Sequence, residues 1–290
     1  MIVTIKNEFL KVDISRKGAE LQSVVSENRE YLWQADPKFW GKHAPVLFPV
    51  VARNLDDQIT VGGAVYPMPK HGFAKDNIFE IEEKTESSVT LLLESSEETK
   101  KLYPFDFKFR VIYSLSDHTL SQTYKVENTG DIPLYYTVGA HPALTVPGKM
   151  VDWTIEFQKD ENLSSIDLDE NDLIDPDAKF SVPLDNGFLP LSAFKDAYLK
   201  KDTLVFERLE SKEVTLWDKD KNHGIKMTFT DFPSFAIWTH ETRDADYVCL
   251  EPWHGMGQRK GETCSLENRF DMITLAPKTS ESKTLTMEMF

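Results

Sequence analysis

The chain has 290 residues, of which 40% are hydrophobic, and it contains 18 Phe, 9 Tyr and 6 Trp. This composition predicts a sizeable core and excludes a disordered chain. Its formal net charge is -15. An acidic protein of this kind repels nucleic-acid phosphates and anionic lipid surfaces, so we expect neither nucleic acid nor a membrane as a partner.

Alternating apolar and polar residues, the pattern of half-buried β-strands, recur along the whole chain. The first third contains the strand candidates "IVTIKN", "FLKVDIS" and "ELQSVVS", and "ITVGGAVYP" predicts a hairpin with Gly62 and Gly63 at its tip. The middle contains "VTLLLES", "FDFKFRVIYSL", "SQTYKVEN" and "WTIEFQ". The last third contains "DTLVFE", "VTLWD", "IKMTFT", "FAIWT", "YVCLE" and the closing "KTLTMEMF".

Helix signals are few and short. The stretch "SSEETKKLYP" offers Ser96 as a cap and Pro104 as a stop, and "LSAFKDAYLKKD" is a second candidate, capped by Ser192. The stretch "LSSIDLDENDLIDPDAKF" is acidic and predicts a loop inside the chain. Because strands do not alternate with long helices, we predict an all-β fold: one domain over residues 1–290, built as a large antiparallel β-sandwich.

The cysteines and the terminus indicate the compartment. Cys249 and Cys264 form no CxxC pair and no cluster at zinc spacing, so we expect no metal site. "DLDENDLIDPDAK" begins like a calcium loop but has Asp172 where glycine is needed. No basic region with a long apolar core opens the chain, and no apolar run approaches membrane-spanning length. We therefore expect a reduced, cytoplasmic protein.

Two ionisable residues stand in apolar surroundings. In "YYTVGAHPALTV", His141 follows a strand-like run, and Pro142 holds it in an extended conformation. In "VCLEPWHG", Glu251 is flanked by aliphatic and aromatic residues; the lost solvation raises its pKa and makes it a better base near neutral pH. The alternatives are a histidine satisfied by a backbone carbonyl and a glutamate that reaches solvent.

Three further polar residues are weaker candidates. His71 precedes Gly72 in "MPKHGFAKD", where glycine lets backbone or ligand approach closely. Arg53 ends the apolar run of "APVLFPVVARN", and a guanidinium suits fixed recognition of hydroxyls. Asp202 precedes the strand candidate "DTLVF". Taken singly, each is as well explained by a loop or surface position.

Taken together and in this chain order, Arg53, His71, His141, Asp202 and Glu251 resemble the polar set of the aldose 1-epimerase (galactose mutarotase) family. The resemblance covers nearly the whole chain. The phrases "LFPVVARN", "KHGFAKD", "VGAHPAL" and "CLEPWHG" are most similar to the branch of mutarotase-like proteins encoded beside lactose-utilisation enzymes.

The resemblance implies a large antiparallel β super-sandwich and the interconversion of α and β anomers of a free hexose such as galactose or glucose. It implies that Glu251 takes the proton of the anomeric hydroxyl and that His141 protonates the ring oxygen. His71 would assist at that oxygen, and Arg53 and Asp202 would hold sugar hydroxyls.

The residue types suit this chemistry on their own. Opening a cyclic hemiacetal removes a proton at one oxygen and delivers one at another, which an acid and a base accomplish without a cofactor. Imidazole titrates near neutrality and can give and regain a proton in each turnover. Trp253 and Phe73 could offer aromatic faces to the sugar, with core packing as the alternative for each.

Other functions remain open at this stage. "KHGFAKD" also resembles the hexose-6-phosphate 1-epimerase branch, and Lys42, Lys70, Lys75 and Arg53 could form a local phosphate site. A carbohydrate-binding or sensing module without turnover is a second alternative, and hydrolysis or elimination on oligosaccharides is a third. The protein could be a monomer or a homodimer.

Overall fold

The structure is a computed structural model, and it describes residues 1–148, 150–194, 203–240 and 245–290. The first strands are β1 (Ile2–Lys6), β2 (Leu10–Ser15), β3 (Leu21–Ser26), β4 (Arg29–Glu30), β5 (Val46–Leu47), β6 (Gln58–Val61), β7 (Ala64–Pro67), β8 (Glu80–Lys84), β9 (Ser88–Glu94), β10 (Phe107–Ser116), β11 (Thr119–Asn128), β12 (Leu134–Tyr136) and β13 (Val138–Ala140). They are followed by β14 (Ala143–Thr145), β15 (Trp153–Phe157), β16 (Ser164–Leu168), β17 (Ile174–Ser181), β18 (Phe188–Pro190), β19 (Thr203–Phe206), β20 (Glu213–Asp218), β21 (Gly224–Thr228), β22 (Ser234–Trp238), β23 (Tyr247–His254), β24 (Ile273–Leu275) and β25 (Ser280–Met289).

Helices are short, and none in the described ranges is long and apolar enough to cross a membrane. The α-helix α1 comprises Glu97–Lys100, and Ser96 caps it as predicted, accepting a hydrogen bond from the Thr99 amide. Four 3-10 turns lie at Leu55–Asp57, Ala74–Asp76, Met150–Asp152 and Leu191–Phe194. The second predicted helix differs: a 3-10 turn begins at Leu191, one residue before the expected cap, and residues 195–202 lie outside the described ranges.

Two large antiparallel sheets dominate. One has nine strands in the order β18-β15-β20-β21-β25-β11-β10-β9-β8, and the other has eight, in the order β17-β16-β19-β22-β23-β13-β5 with β14 pairing β23. A four-stranded sheet (β1-β2-β3-β4) and two two-stranded sheets, β12-β24 and the β6-β7 hairpin, complete the fold. The β6-β7 hairpin turns at Gly62 and Gly63, both with positive φ, as predicted. The predicted all-β fold is confirmed.

Alternation along the strands explains how the sheets meet. On β10, Phe107, Phe109, Val111 and Tyr113 are buried while the residues between them are partly or fully exposed. One buried apolar cluster contains these side chains together with Leu250 and other inward residues of the eight-stranded sheet. Side chains from two sheets that interdigitate in this way form a β-sandwich, and this confirms the predicted architecture.

The acidic segment predicted as a loop is a β-hairpin. Residues Ser164–Leu168 and Ile174–Ser181 pair as β16 and β17 at the edge of the eight-stranded sheet. The prediction was wrong because the outward positions of an edge strand are solvated, so acidic residues there obscure the alternating Ile166, Leu168 and Ile174. The turn of this hairpin carries Asp172 to the candidate site.

Candidate active site

The second face of the eight-stranded sheet forms the floor of a cavity. The register places Glu251 of β23 beside Ala236 of β22, and Ala236 beside Val205 of β19, so these side chains lie in one row. The cavity has a volume of about 490 Å³, and Val205, Glu251 and Trp253 are among its lining residues. This volume lies within the range of about 300–1,000 Å³ that is usual for small-molecule sites.

Strand register also places His141 opposite Glu251. Gly139 of β13 pairs with Trp253, and Ala143 of β14 pairs with Cys249. Both pairings keep one register along β23, so the position facing Glu251 is His141, at the break between β13 and β14. Directly opposed residues of antiparallel strands project their side chains to the same face. Two residues 110 positions apart in the chain thereby become neighbours.

His141 Nε2 lies 3.3 Å from Glu251 Oε2, and the two side chains are 11% and 2% exposed. Burial is the main cause of the shifts in both pKa values. It lowers the pKa of His141 to about 3 and raises the pKa of Glu251 well above its usual value, because each charged form is desolvated. Lys70 and the Trp253 indole partly oppose the shift in the pKa of Glu251.

Aromatic rings enclose the histidine. Trp40 stacks on His141 with ring centroids 5.0 Å apart and an interplanar angle of 27°. Trp238 meets His141 edge-on at 5.7 Å, and Trp40 meets Trp238 at 5.3 Å. These apolar surfaces exclude water from the imidazole, which is the physical origin of its lowered pKa.

His71 enters the same cavity from the segment between β7 and β8. Its ring centroid lies 5.5 Å from that of His141. The Ala52 amide donates a hydrogen bond of 3.1 Å to His71 Nδ1, and the His71 amide donates one of 2.8 Å to the Ala52 carbonyl. Because Nδ1 accepts a hydrogen bond, the neutral ring carries its proton on Nε2. His71 therefore offers a hydrogen-bond donor at fixed orientation.

Backbone conformation fixes His71 in place. His71 and Gly72 both have positive φ, at 66° and 70°. A Cβ built on Gly72 would lie 2.1 Å from the Phe48 carbonyl oxygen, so only glycine fits there. Gly72 therefore has a structural role: it lets the chain pack closely against the backbone after β5, and this packing positions the preceding His71.

The arrangement can bind and move one proton. An imidazole and a carboxylate at 3.3 Å can exist as a neutral acid and neutral base or as an ion pair, and a single proton transfer interconverts them. A substrate oxygen between such groups can lose a proton to one while another oxygen gains a proton from its partner. His71 Nε2 adds a hydrogen-bond donor, and Trp253 adds an aromatic surface.

One group of side chains in the described ranges has the composition of a metal site. Ligand atoms of His141, Cys249 and Glu251 lie within 4.8 Å of one another, and all three residues are buried. Burial raises the pKa of the Cys249 thiol well above its usual value, which favours the protonated form over the thiolate that metals prefer. Two of the three members are the proton-transfer pair, so a metal there would compete with the proton.

The sequence model of the family described as "Aldose 1-epimerase" matches residues 1–287. The chain belongs to the aldose 1-epimerase family. Among curated relatives of this family member, Protein LacX, plasmid, from Lactococcus lactis subsp. lactis is 29% identical over 98% of this chain and 97% of its own length.

Solved structures agree with this membership. A galactose mutarotase related enzyme from Lactobacillus acidophilus is 34% identical, with a TM-score of 0.93 over 100% of this chain and 97% of its own. A galactose mutarotase-like protein from Lactobacillus casei is 30% identical, with a TM-score of 0.91 over 100% of both chains. The predicted resemblance and the galactose mutarotase-like fold are confirmed.

The five polar residues predicted from the family resemblance do not all meet in one place. His71, His141 and Glu251 line the cavity together, as does Trp253. Asp202 lies outside the described residues. Arg53 is not among the lining residues: its side chain is 40% exposed and contacts Asp57 and the lining Asp172, each at 3.3 Å. It is therefore placed to orient a wall residue.

The structure places Phe73 in the core of this family member. Its side chain is 2% exposed and packs edge-on against Phe48, with Tyr103 and Phe107 nearby. It is absent from the cavity lining, so the prediction of a sugar contact is replaced by core packing. The physical reason is the 3-10 turn after Gly72, which directs the ring inwards while Lys75 reaches the cavity.

Several lining residues of the family member had weak sequence signals. Trp40, Trp238, Lys42, Lys70 and Lys75 line the cavity. The lysines are predicted only as an alternative phosphate site, and Trp238 is predicted only as part of the strand candidate "FAIWT". Trp40 follows no strand and no motif, so its stacking on His141 has no local signature. Asp172 was interpreted as part of a solvated loop.

Proposed function

We propose that this protein interconverts the α and β anomers of an aldose hexose by general acid–base catalysis. The observation that carries the proposal is the 3.3 Å contact between His141 Nε2 and Glu251 Oε2 in the wall of a cavity. Membership of the aldose 1-epimerase family supports a sugar substrate. The names of the similar Lactobacillus proteins make galactose the first sugar to test, and the sequence resemblance makes glucose the second.

In this mechanism Glu251 takes the proton of the anomeric hydroxyl while the protonated His141 gives its proton to the ring oxygen. The bond between the anomeric carbon and the ring oxygen breaks, and an open-chain aldehyde forms. Rotation about the bond between the first two carbons presents the other carbonyl face. Ring closure reverses both proton transfers and restores the pair.

Burial of the pair opposes the ionised state that this mechanism requires. It favours the proton on Glu251, and hydrogen bonds from sugar hydroxyls to the carboxylate would offset that preference. His71 would donate from Nε2 to the ring oxygen, because its Nδ1 is occupied by the Ala52 amide. It acts as a hydrogen-bond donor, since transfer of its only ring proton would leave an imidazolate.

Binding roles follow from the positions of the remaining side chains. Trp253 would cover an apolar face of the sugar. Arg53 would act through Asp172, and Asp202 keeps its predicted role as a partner of sugar hydroxyls. No electron or group is transferred, so no cofactor is part of the proposal. A cytoplasmic location and a monomeric or homodimeric state also remain predictions.

The direct test is exchange NMR between anomers, with and without protein, for galactose, glucose and their phosphate esters. We expect anomer exchange of at least one aldose to accelerate in proportion to protein concentration. No acceleration across the panel would refute the proposal. Calorimetry that detects sugar binding without acceleration would instead identify a carbohydrate-binding module without turnover.

A further inference from the structure

Three buried side chains with metal-binding atoms meet at the proton-transfer pair. Cys249 and Glu251 stand two positions apart on β23, so both side chains project from the same face of the strand. Strand register places His141 beside them. Ligand atoms of all three side chains lie within 4.8 Å of one another. A thiolate, a carboxylate and an imidazole are the kinds of ligand that protein zinc sites use.

The spacing of two of these ligands suits a tetrahedral cation. His141 Nε2 and Glu251 Oε2 are 3.3 Å apart. Two bonds of about 2.0–2.1 Å at the tetrahedral angle place nitrogen and oxygen ligands of zinc about 3.3–3.4 Å from each other. The thiol of Cys249 lies within 4.8 Å of ligand atoms on both partners, so an approach of about 1 Å would complete three of the four positions.

The carboxylate of Glu251 has an unused acceptor at this point. The residue is 1% exposed, and its Oε2 makes no hydrogen bond with any residue that the structure describes, although His141 Nε2 is 3.3 Å away. Buried polar atoms are nearly always satisfied, so an unpartnered one marks a place for a ligand. A sugar hydroxyl fills this place in the proposed reaction, and a cation is the other kind of ligand that a carboxylate oxygen accepts.

The charges of the group suit a divalent cation. Coordination converts the Cys249 thiol to a thiolate and the Glu251 carboxyl to a carboxylate, and each releases one proton to solvent. Two anionic ligands, a neutral imidazole and a doubly positive ion add up to no net charge. Buried charges are tolerated when they coordinate a metal, so the burial that opposes each anion alone does not oppose the assembled complex.

We propose that Cys249, His141 and Glu251 form an inhibitory site for a thiophilic divalent cation such as Zn²⁺ or Cd²⁺. The bound cation occupies the lone pairs that would carry the proton, so neither proton transfer to a sugar can take place. The thiolate favours soft cations over Mg²⁺ and Ca²⁺, which prefer oxygen ligands. Inhibition rests on the anomerase function proposed above, whereas binding of the cation does not.

Binding can be tested without any substitution at the site. The two cysteines are both free thiols, and Cys264 is partly exposed with its sulfur 3.8 Å from the Leu55 carbonyl. A Cys264→Ser protein therefore keeps Cys249 as its single thiol. Co²⁺ replaces Zn²⁺ as the probe, because a cobalt–thiolate bond gives a charge-transfer absorption in the near ultraviolet. We expect this absorption to saturate at one equivalent of Co²⁺ and to disappear when Zn²⁺ is added.

Inhibition is measured by exchange NMR of the anomers in the presence of Zn²⁺, Cd²⁺ or Mg²⁺. Zn²⁺ and Cd²⁺ should compete with the sugar, and a chelator should restore the rate. Cys249→Ser should raise the inhibition constant of Zn²⁺ by about 100-fold or more, since loss of even an outer partner of a metal ligand costs about 10–100-fold in affinity. Cys264→Ser is the matched control and should leave the constant unchanged. Mg²⁺ should not inhibit.

Absence of the cobalt absorption in Cys264→Ser would overturn the inference. So would equal inhibition of Cys249→Ser and wild type, equal inhibition by Mg²⁺, or an absorption without inhibition of an active protein. If Cys249→Ser does not fold, the cobalt titration and the inhibition of Cys264→Ser decide together. If no sugar is turned over, the anomerase function fails, and the cobalt titration alone decides whether the cation site exists.

Discussion

Replacing Glu251 by glutamine separates its chemical role from its structural one. Glutamine has nearly the same shape, and the glutamate side chain is 2% exposed, so packing should change little, by less than about 1.5 kcal/mol. The amide cannot accept the hydroxyl proton. We expect the rate of anomer exchange to fall by about 10²–10⁴-fold, which corresponds to roughly 3–5 kcal/mol of transition-state stabilisation.

The same substitution should change how stability depends on pH. Burial raises the pKa of Glu251 in the folded protein above 4.5, its ordinary value. Between these two pKa values the folded state binds more protons than the unfolded state, so stability falls as pH rises, by up to about 1.4 kcal/mol per pH unit. Glu251→Gln removes this titration, and the variant should gain stability relative to wild type as pH rises above about 5.

Urea denaturation from pH 5 to pH 8 measures the slope, and exchange NMR measures the rate. Glu98→Gln provides the control, because that carboxylate is on the surface and 80% exposed. It should change neither the rate nor the slope. A Glu251→Gln protein that retains wild-type turnover, or whose stability follows the wild-type pH profile, would refute the reasoning.

Three other substitutions test His141 and the packing near the cavity. Because burial lowers the pKa of His141 to about 3, the folded protein binds fewer protons than the unfolded protein below pH 6.5, so wild type should lose stability as the pH falls from 6.5 towards 3. His141→Gln should lose less stability over this range, which urea denaturation midpoints measure. Parallel plots of midpoint against pH for the two proteins would contradict this expectation. Gly72→Ala should cost about 2 kcal/mol or more and most activity, because its Cβ would meet the Phe48 carbonyl. Gly261→Ala, with φ of 83° and nothing within 4 Å, is the control for backbone strain alone, and an equal loss there would rule out the steric explanation. Phe73→Leu should lower the free energy of unfolding by about 1–3 kcal/mol with KM unchanged, and a raised KM in a stable protein would restore its predicted sugar contact.

Local rules in the sequence determined much of the fold. The alternation in "FDFKFRVIYSL" predicted the face of β10 that is buried, and Gly62 and Gly63 predicted the hairpin between β6 and β7. Ser96 predicted the start of α1. Each of these features depends on residues within a few positions of one another, so the printed order of the chain contains the needed information.

Sequence alone also singled out His141 and Glu251, because each is an ionisable side chain in an apolar run. It failed where the neighbours are remote. Phe73 belongs to the core because a turn after Gly72 directs it inwards, and the acidic segment forms the edge hairpin of β16 and β17. Neither outcome has a short-range signature, since packing partners decide it.

The chain order therefore determined the strands, the turns and the types of reactive group. Only the tertiary structure decided that His141 faces Glu251 across one ladder, that Trp40 covers the imidazole, and that Lys42 and Lys75 line one cavity. Register between distant strands sets these distances, and register is a property of the assembled sheet. Desolvation, which shifts both pKa values, likewise exists only once the sheets have packed.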